Sequence, residues 1–383
     1  MSIPKIIHPI ICCLLLSTVS FAQEWHDAAS LKKELIRTAL QGKTYYSQCG
    51  FYNPRESGDA ASNYQKVLQC QPIIYGVDFH YASGTWHKPK AIRKTKENLI
   101  KIVKSNWRER RAIACFSWHL ENPYIPSGYD TYLGCRYVDK ISVLNYPRNH
   151  HSVIAEIIRG KGDTCGAGNY SGKDNLKHYP NPRAWFEARC KEVAAIINEF
   201  VDDNGKPIPI IFRLWHEWED GWAWWGARYT SAEDYKKFFI LTEQTIRKYA
   251  PKAQILWAYC PDRYWNTEKM LMSRYPGDRY VDIIGFDDYA LGNSEKNFQS
   301  TVLRAKIIGK VAKERNLATA LFETNNNKRK IPEFYTKWLN RLVETDGVNL
   351  GIVQIWSLKN FNDSTDMRKF LNMDNIIIDK RLK

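Results

Sequence analysis

Cysteine is scarce in this sequence, with nine residues in a chain of 383. Two of them, Cys12 and Cys13, fall within an apolar N-terminal segment, and the remaining seven are an odd number. Small exported domains that depend on disulfide bonds use far more cysteine. We therefore expect at most an occasional bridge, such as one between Cys135 and Cys165, and not a disulfide scaffold.

Long apolar runs are also scarce, and only the N-terminus has one. Lys5 is followed by "IICCLLLSTV" and then by "SFA" before Gln23. A positive charge, an apolar segment too short to span a membrane and a small-residue cleavage site are typical of a signal peptide. We predict a cleaved signal peptide over residues 1–22, a secreted or periplasmic protein without a membrane span, and one domain over residues 23–383.

Several recognition motifs are missing as well. No glycine-rich phosphate loop follows the first predicted strand, and Asp220 stands where a zinc-protease motif starting at His216 would have its second histidine. The formal net charge is +15, but the basic residues alternate with acids along the whole chain, without a zinc-finger spacing or a basic tail. We therefore expect no metal, no cofactor and no nucleic-acid partner, and we expect a monomer.

Eight short β-rich segments recur along the chain, and most are continuously apolar, as strands covered on both faces should be. Amphipathic helical segments such as "SAEDYKKFFILTEQTIRKYA" separate them. This alternation predicts a single (β/α)8 barrel, or TIM barrel, with a doubly wound open sheet as the alternative. The eight segments are "KTYYSQCG", "PIIYGVDFH", "AIACFSWH", "IPIIFRLWHE", "QILWAYCPD", "VDIIGFDDY", "ATALFET" and "LGIVQIWSL".

In such a barrel the functional residues lie where the strands end. Glu217 ends the fourth predicted strand and Glu323 the seventh. Two carboxyl groups about 5–5.5 Å apart carry out retaining glycoside hydrolysis, one as acid/base and one as nucleophile. We predict these two catalytic roles, and we expect an ionised Glu323 to raise the pKa of Glu217. Other strand-end residues are Asp78, His80, Trp118, His119, His216, Asp262, Asp287, Asp288, Tyr289 and Trp356.

The segment "IIFRLWHEWEDGWAWWG", residues 210–226, holds five of the fourteen tryptophans next to His216 and Glu217. A sugar ring stacks its apolar C–H face on indole, while its hydroxyls bind carboxylates and histidine. We expect about half of these tryptophans in the core and the rest at a sugar site. For His119, substrate contact and a purely structural role both stay open.

These residues resemble glycoside hydrolase family 26, the family of many β-mannanases, along nearly all of the mature chain. The family's acid/base motif has Arg, two further residues, His-Glu and a Trp-rich turn that ends in Trp-Trp-Gly. "FSWHLENPY", "RYPGDRYVDIIGFDDY" and "VQIWS" match it elsewhere. The residues that match the motif here are Arg213, His216, Glu217, Trp222, Trp224, Trp225 and Gly226.

The resemblance implies a retaining endo-β-1,4-mannanase that acts on plant-type mannan, glucomannan or galactomannan. It implies that Glu217 is the acid/base, that Glu323 is the nucleophile and that Tyr289 orients the nucleophile. The implied substrate-binding residues are His119, His216, Trp222, Asp287, Tyr289 and Trp356.

The chain departs from the family at positions that border the subsites. Glu219 and Asp220 stand where a small polar residue and glycine are usual, and Ala223 replaces an aromatic residue. Residues 324–327 lack the glycine that commonly follows the nucleophile. Hydrolysis of β-1,3-xylan or mixed-linkage glucan therefore stays open as an alternative. A non-catalytic carbohydrate-binding barrel is a further alternative, although it would not need both glutamates.

Overall fold

The computed structural model describes residues 25–55, 64–83, 89–124, 152–162, 164–165, 179–219, 221–326, 331–356 and 364–380. The predicted signal peptide lies outside these residues, as do Cys135 of the suggested disulfide and Asp220. The six described cysteines, Cys165 among them, are buried free thiols.

Among the described residues, eight parallel strands form a closed barrel in chain order. Each strand pairs with the next, and β8 pairs with β1, which closes the sheet. The predicted (β/α)8 barrel is confirmed, and the open-sheet alternative is wrong. The strands are β1 (Thr44–Cys49), β2 (Ile74–Asp78), β3 (Ile113–Ser117), β4 (Ile210–Leu214), β5 (Ile255–Tyr259), β6 (Ile283–Asp287), β7 (Ala318–Thr324) and β8 (Ile352–Ile355), and a short β9 (Ile376–Ile377) pairs with β1.

Helices connect the strands. Ser231 caps the sixth helix by accepting the N–H of Asp234 at 3.0 Å. A π-helix, Phe334–Leu339, runs directly into the ninth helix. The helices are α1 (Ala28–Leu40), α2 (Tyr64–Leu68), α3 (Pro89–Arg110), α4 (Val153–Arg159), α5 (Pro182–Ile197), α6 (Ala232–Tyr249), α7 (Glu268–Leu271), α8 (Glu295–Arg315), α9 (Asn340–Glu344) and α10 (Ser364–Leu371).

The eight barrel strands are buried along their whole lengths. Helices cover their outer faces and side chains fill the barrel interior, so no strand face meets water. This arrangement explains the continuous apolar runs in the sequence. Within the part of the chain that the structure describes, none of the helices has the length and apolar character needed to cross a membrane.

Gly285 lets β6 and β7 pack closely beside the candidate site. A Cβ atom at this position would lie 2.5 Å from Cδ2 of Phe322 and 2.7 Å from the carbonyl oxygen of Ala320. We expect Gly285→Ala to lower the free energy of unfolding by about 1–3 kcal/mol, because the added methyl group overpacks the interior.

The matched control is Gly309→Ala in α8. Its Cβ would have no neighbour closer than 3.7 Å, and alanine favours a helix interior by about 0.5–1 kcal/mol over glycine. Urea unfolding of the two variants measures the difference. Equal stability of both variants would contradict the packing described for Gly285.

Candidate active site

Arg213 on β4 lies at the centre of the site and is fully buried. Its Nη1 donates to Oδ2 of Asp287 at 2.7 Å, and its Nη2 donates to Oε1 of Glu323. Burial alone would lower the pKa of Arg213, but the charges of Asp287 and Glu323 raise it well above its ordinary value. One permanently charged guanidinium therefore joins the ends of β4, β6 and β7.

The backbone that follows β4 adopts an unusual conformation. Trp215 and Glu217 have φ angles of 48° and 52°, in the left-handed region that side chains other than glycine rarely adopt. Three hydrogen bonds hold this turn: the N–H of Glu217 donates to the carbonyl of Cys260 at 3.0 Å, Nε1 of Trp225 to the carbonyl of His216 at 2.9 Å, and the hydroxyl of Tyr235 to the carbonyl of Trp215 at 2.9 Å. The turn places His216 and Glu217 at the C-terminal end of the barrel.

The carboxyl group of Glu217 favours its protonated form. Burial raises the pKa of Glu217 well above its ordinary value, and the charges of Glu323 and Asp262 raise it further, against the opposing effect of Arg213. Burial, which the sequence does not reveal, is thus a larger cause than the charge of Glu323. Glu217 can therefore hold a proton at a pH where an exposed glutamate has lost it.

The carboxylate of Glu323, at the end of β7, is held from two sides. Tyr289 donates its hydroxyl to Oε2 at 2.5 Å, and Arg213 donates to Oε1. Nε2 of His216 lies 3.9 Å from Oε1. Burial and the charge of Arg213 lower the pKa of His216 well below its ordinary value, so this imidazole is neutral and polar at neutral pH.

His119 is oriented by Asp78, which the sequence placed at a strand end without a specific role. Asp78 accepts from Ser117 Oγ at 2.9 Å, from the backbone N–H of His119 at 3.2 Å and from Nδ1 of His119. Burial alone would raise the pKa of Asp78, but His119 and His80 hold it well below its ordinary range. The bond to Nδ1 fixes the imidazole orientation.

Trp222 and Trp356 flank His119 and are only partly buried. Their ring centroids lie 5.8 and 6.1 Å from the imidazole. The expectation that about half of the five clustered tryptophans lie in the core was too low. Four are buried. Trp215, Trp224 and Trp225 pack against one another and, through Trp215 and Trp224, against Phe238 of α6, whereas Trp218 packs against Tyr235 of the same helix.

His216, Asp287 and Glu323 each place one donor atom within 4.8 Å of the other two, an arrangement that could hold a cation. The guanidinium of Arg213 already contacts both carboxylates and supplies the positive charge. The donor set therefore fits an ion-paired arginine better than a metal ion.

The predicted site residues that the structure brings together are Glu217, Glu323, His119, His216, Trp222, Asp287, Tyr289 and Trp356. Two partners were missed. Asp78 orients His119, and the thiol of Cys260 donates to Oδ1 of Asp287 at 3.2 Å. Asp78 could have been found as the carboxylate nearest to a strand-end histidine, whereas a buried thiol gives no comparable signal.

Residues 174–344 match the family model described as Glycosyl hydrolase family 26. The matched stretch includes Arg213, Glu217 and Glu323. The match covers less than half of the chain, and over that stretch the chain is similar to glycosyl hydrolase family 26.

Curated relatives match over short stretches. The mannan endo-1,4-β-mannosidase of Bifidobacterium adolescentis is 31% identical over 143 residues, which cover 36% of this chain and 14% of that protein. The enzyme of the same name from Bacillus subtilis is 27% identical over 135 residues, which cover 32% of this chain and 36% of that protein. The matches therefore span well under half the length of either relative.

Solved structures of family 26 share the barrel over most of its length. A family 26 protein from Muricauda sp. has a TM-score of 0.74 at 20% identity, covering 93% of this chain and 92% of that chain. A family 26 β-mannanase from Bacteroides ovatus has a TM-score of 0.67 at 19% identity, covering 91% of this chain and 95% of that chain. At such low identity this likeness shows the fold.

Arg213 should stabilise the folded protein, because it is the positive partner of two buried carboxylates. Arg213→Met leaves the carboxylates of Asp287 and Glu323 buried without a positive partner, so we expect the free energy of unfolding to fall by about 3–5 kcal/mol near pH 7. Buried carboxyls without a cation take up protons more readily when folded than when unfolded. Stability of the variant is therefore retained at low pH and lost as pH rises, and its deficit should shrink near pH 4.

Arg108→Met is the matched control, because Arg108 forms an exposed ion pair with Asp203. Its loss should leave the free energy of unfolding nearly unchanged at either pH, because water and salt screen an exposed ion pair. Urea unfolding at both pH values measures these effects. A deficit of Arg213→Met that does not depend on pH would contradict the assigned ion pairs.

Proposed function

We propose that this chain is a retaining endo-β-1,4-mannanase that hydrolyses mannan, glucomannan or galactomannan. One observation carries the catalytic part of the proposal. Burial and neighbouring charge favour a protonated Glu217, while Arg213 and Tyr289 both donate to Glu323. A carboxyl group that holds a proton suits an acid/base, and a carboxylate oriented by two hydrogen-bond donors suits a nucleophile.

In the first step, a carboxylate oxygen of Glu323 attacks the anomeric carbon of the sugar. The bond from that carbon to the leaving oxygen breaks, and Glu217 transfers its proton to this oxygen. The product is a glycosyl ester on Glu323 and an ionised Glu217. Esterification removes the negative charge of Glu323, and Arg213 keeps its ion pair with Asp287 throughout.

In the second step, Glu217 accepts a proton from water while the water oxygen attacks the same carbon. The ester bond breaks, Glu323 regains its charge, and Glu217 is again protonated. Each step inverts the configuration at the anomeric carbon, so the reaction as a whole retains it.

The groups around the two carboxyls suit a sugar ring. Trp222 and Trp356 present partly exposed indole faces on either side of His119, whose imidazole is fixed by Asp78. Aromatic faces bind the C–H face of a pyranose, and imidazole nitrogens bind its hydroxyls. Mannan is favoured as the substrate because the curated relatives are mannan endo-1,4-β-mannosidases and the Bacteroides ovatus neighbour is a β-mannanase.

The two catalytic roles can be separated by the leaving group. Glu323→Ala should lower kcat/KM by several orders of magnitude on every substrate, because the attacking group is lost. Glu217→Ala should cause a similar loss on mannooligosaccharides but a much smaller one on 2,4-dinitrophenyl β-mannoside, whose leaving group needs little protonation. Near-normal activity of Glu323→Ala would overturn the nucleophile assignment.

The substrate is tested by incubating the purified protein with mannan, glucomannan, galactomannan, β-1,3-xylan and barley glucan, and resolving the product sizes. Glu323→Ala is the control for contaminating activity. Mannooligosaccharides of several lengths are expected from the three mannans. Release of oligosaccharides from xylan or glucan alone would replace mannan with that substrate, and an absence of products from all five would favour a binding protein.

A further inference from the structure

The backbone after β5, residues 260–263, supports the active site; we call it the β5 ledge. The carbonyl of Cys260 accepts the N–H of Glu217 at 3.0 Å, and the carbonyl of Pro261 accepts the N–H of Asp287 at 2.9 Å. The acid/base and one partner of Arg213 are thus both hydrogen-bonded to this ledge.

The outer part of the β5 ledge is also anchored. The carbonyl of Asp262 accepts a hydrogen bond from Nε1 of Trp265 at 2.7 Å, and the carbonyl of Arg263 accepts one from Nη1 of Arg304 at 3.1 Å. Pro261 has no N–H, so it cannot donate. The N–H of Asp262 donates to Oε2 of Glu219 at 2.8 Å.

Two hydrogen bonds in opposite directions therefore connect the turn after β4 to the β5 ledge. Glu217 donates its N–H to the ledge, and the ledge returns an N–H to the side chain of Glu219. The turn needs such support, because Glu217 adopts a left-handed backbone that an unrestrained glutamate disfavours.

The surroundings of Glu219 indicate a hydrogen-bonding role. Burial raises the pKa of Glu219 to about 8, although the backbone N–H of Asp262 that it accepts lowers this pKa. The charge of Asp262, which raises the pKa, and that of Arg274, which lowers it, contribute less. Arg274 is engaged elsewhere, since it donates to the carbonyls of Thr230 and Ser231 at 2.6 and 2.9 Å. Because Glu219 is mainly protonated at neutral pH, it holds the β5 ledge through the N–H of Asp262 that it accepts more than through its charge.

We propose that Glu219 is a positioning residue, which fixes the β5 ledge beneath the turn after β4 and thereby holds Glu217 where it can protonate the leaving oxygen. This inference rests on the proposed function. Misplacement of a catalytic group by about 1 Å can lower a rate by about 100-fold.

The test compares kcat/KM of Glu219 variants on a mannooligosaccharide and on 2,4-dinitrophenyl β-mannoside. With a retaining enzyme, kcat/KM reports the first step, in which only the mannooligosaccharide needs a proton from Glu217. Glu219→Leu removes the acceptor, so we expect a loss of about 10- to 100-fold on the mannooligosaccharide and of less than about threefold on the aryl substrate.

Glu219→Gln keeps a carbonyl oxygen for the N–H of Asp262 and should restore most of the activity on the mannooligosaccharide. Glu219→Asp is too short to keep this bond and should show the same discrimination in a milder form, so it carries the test if the leucine variant does not fold. Glu243→Leu is the matched control, because Glu243 is a buried glutamate of α6 that pairs with Arg247 on the same helix. It should lower stability without discriminating between the substrates.

Equal losses on both substrates in the Glu219→Leu and Glu219→Asp variants would overturn the inference and leave a purely structural role. A glutamine variant as impaired as the leucine variant would also overturn it. If Glu217→Ala itself does not discriminate between the two substrates, the proposed function fails, and that result is separate from any behaviour of Glu219.

Discussion

The double ion pair of Arg213 is the interaction on which the rest of the site depends. Charged groups are seldom buried unless each has a partner, and here one guanidinium serves two carboxylates, Asp287 and Glu323, from different strands. The arrangement requires β4, β6 and β7 to converge, which the closed barrel provides. A barrel that had lost this contact would hold two buried negative charges within a few ångströms of each other.

The same interaction gives the two proposed catalytic groups, Glu323 and Glu217, different surroundings. Glu323 receives hydrogen bonds from Arg213 and Tyr289, whereas Glu217 lies in a partly buried position where burial and nearby negative charge favour its proton. Two glutamates at the ends of β4 and β7, strands of one barrel, thus acquire different chemistry from their surroundings alone. The left-handed turn and the β5 ledge keep Glu217 in that position.

Much of the fold could be predicted from the sequence, because strands that are buried on both faces are continuously apolar and the eight strands show this as eight apolar runs. Strand ends then identified Glu217, Glu323, His119 and Tyr289, since a parallel barrel gathers its strand ends at one rim.

Short elements such as α4, α10 and β9 carry too few residues for a visible period. Hydrogen bonds such as Cys260 to Asp287 or Asp262 to Glu219 join distant strands, and no local pattern encodes them. The tryptophans were misjudged for a similar reason: which indoles lie beneath a turn is decided by the packing of α6 against it.

The proposed retaining mechanism requires direct attack by Glu323 while Glu217 supplies the proton. Proton NMR of the first products released from a mannooligosaccharide by the wild-type protein tests this most directly, because anomeric signals can be read before mutarotation mixes them. The account predicts that the β-anomer appears first and the α-anomer only later, as the products equilibrate. Initial release of the α-anomer would require a water molecule between sugar and carboxylate and would contradict a glycosyl ester on Glu323.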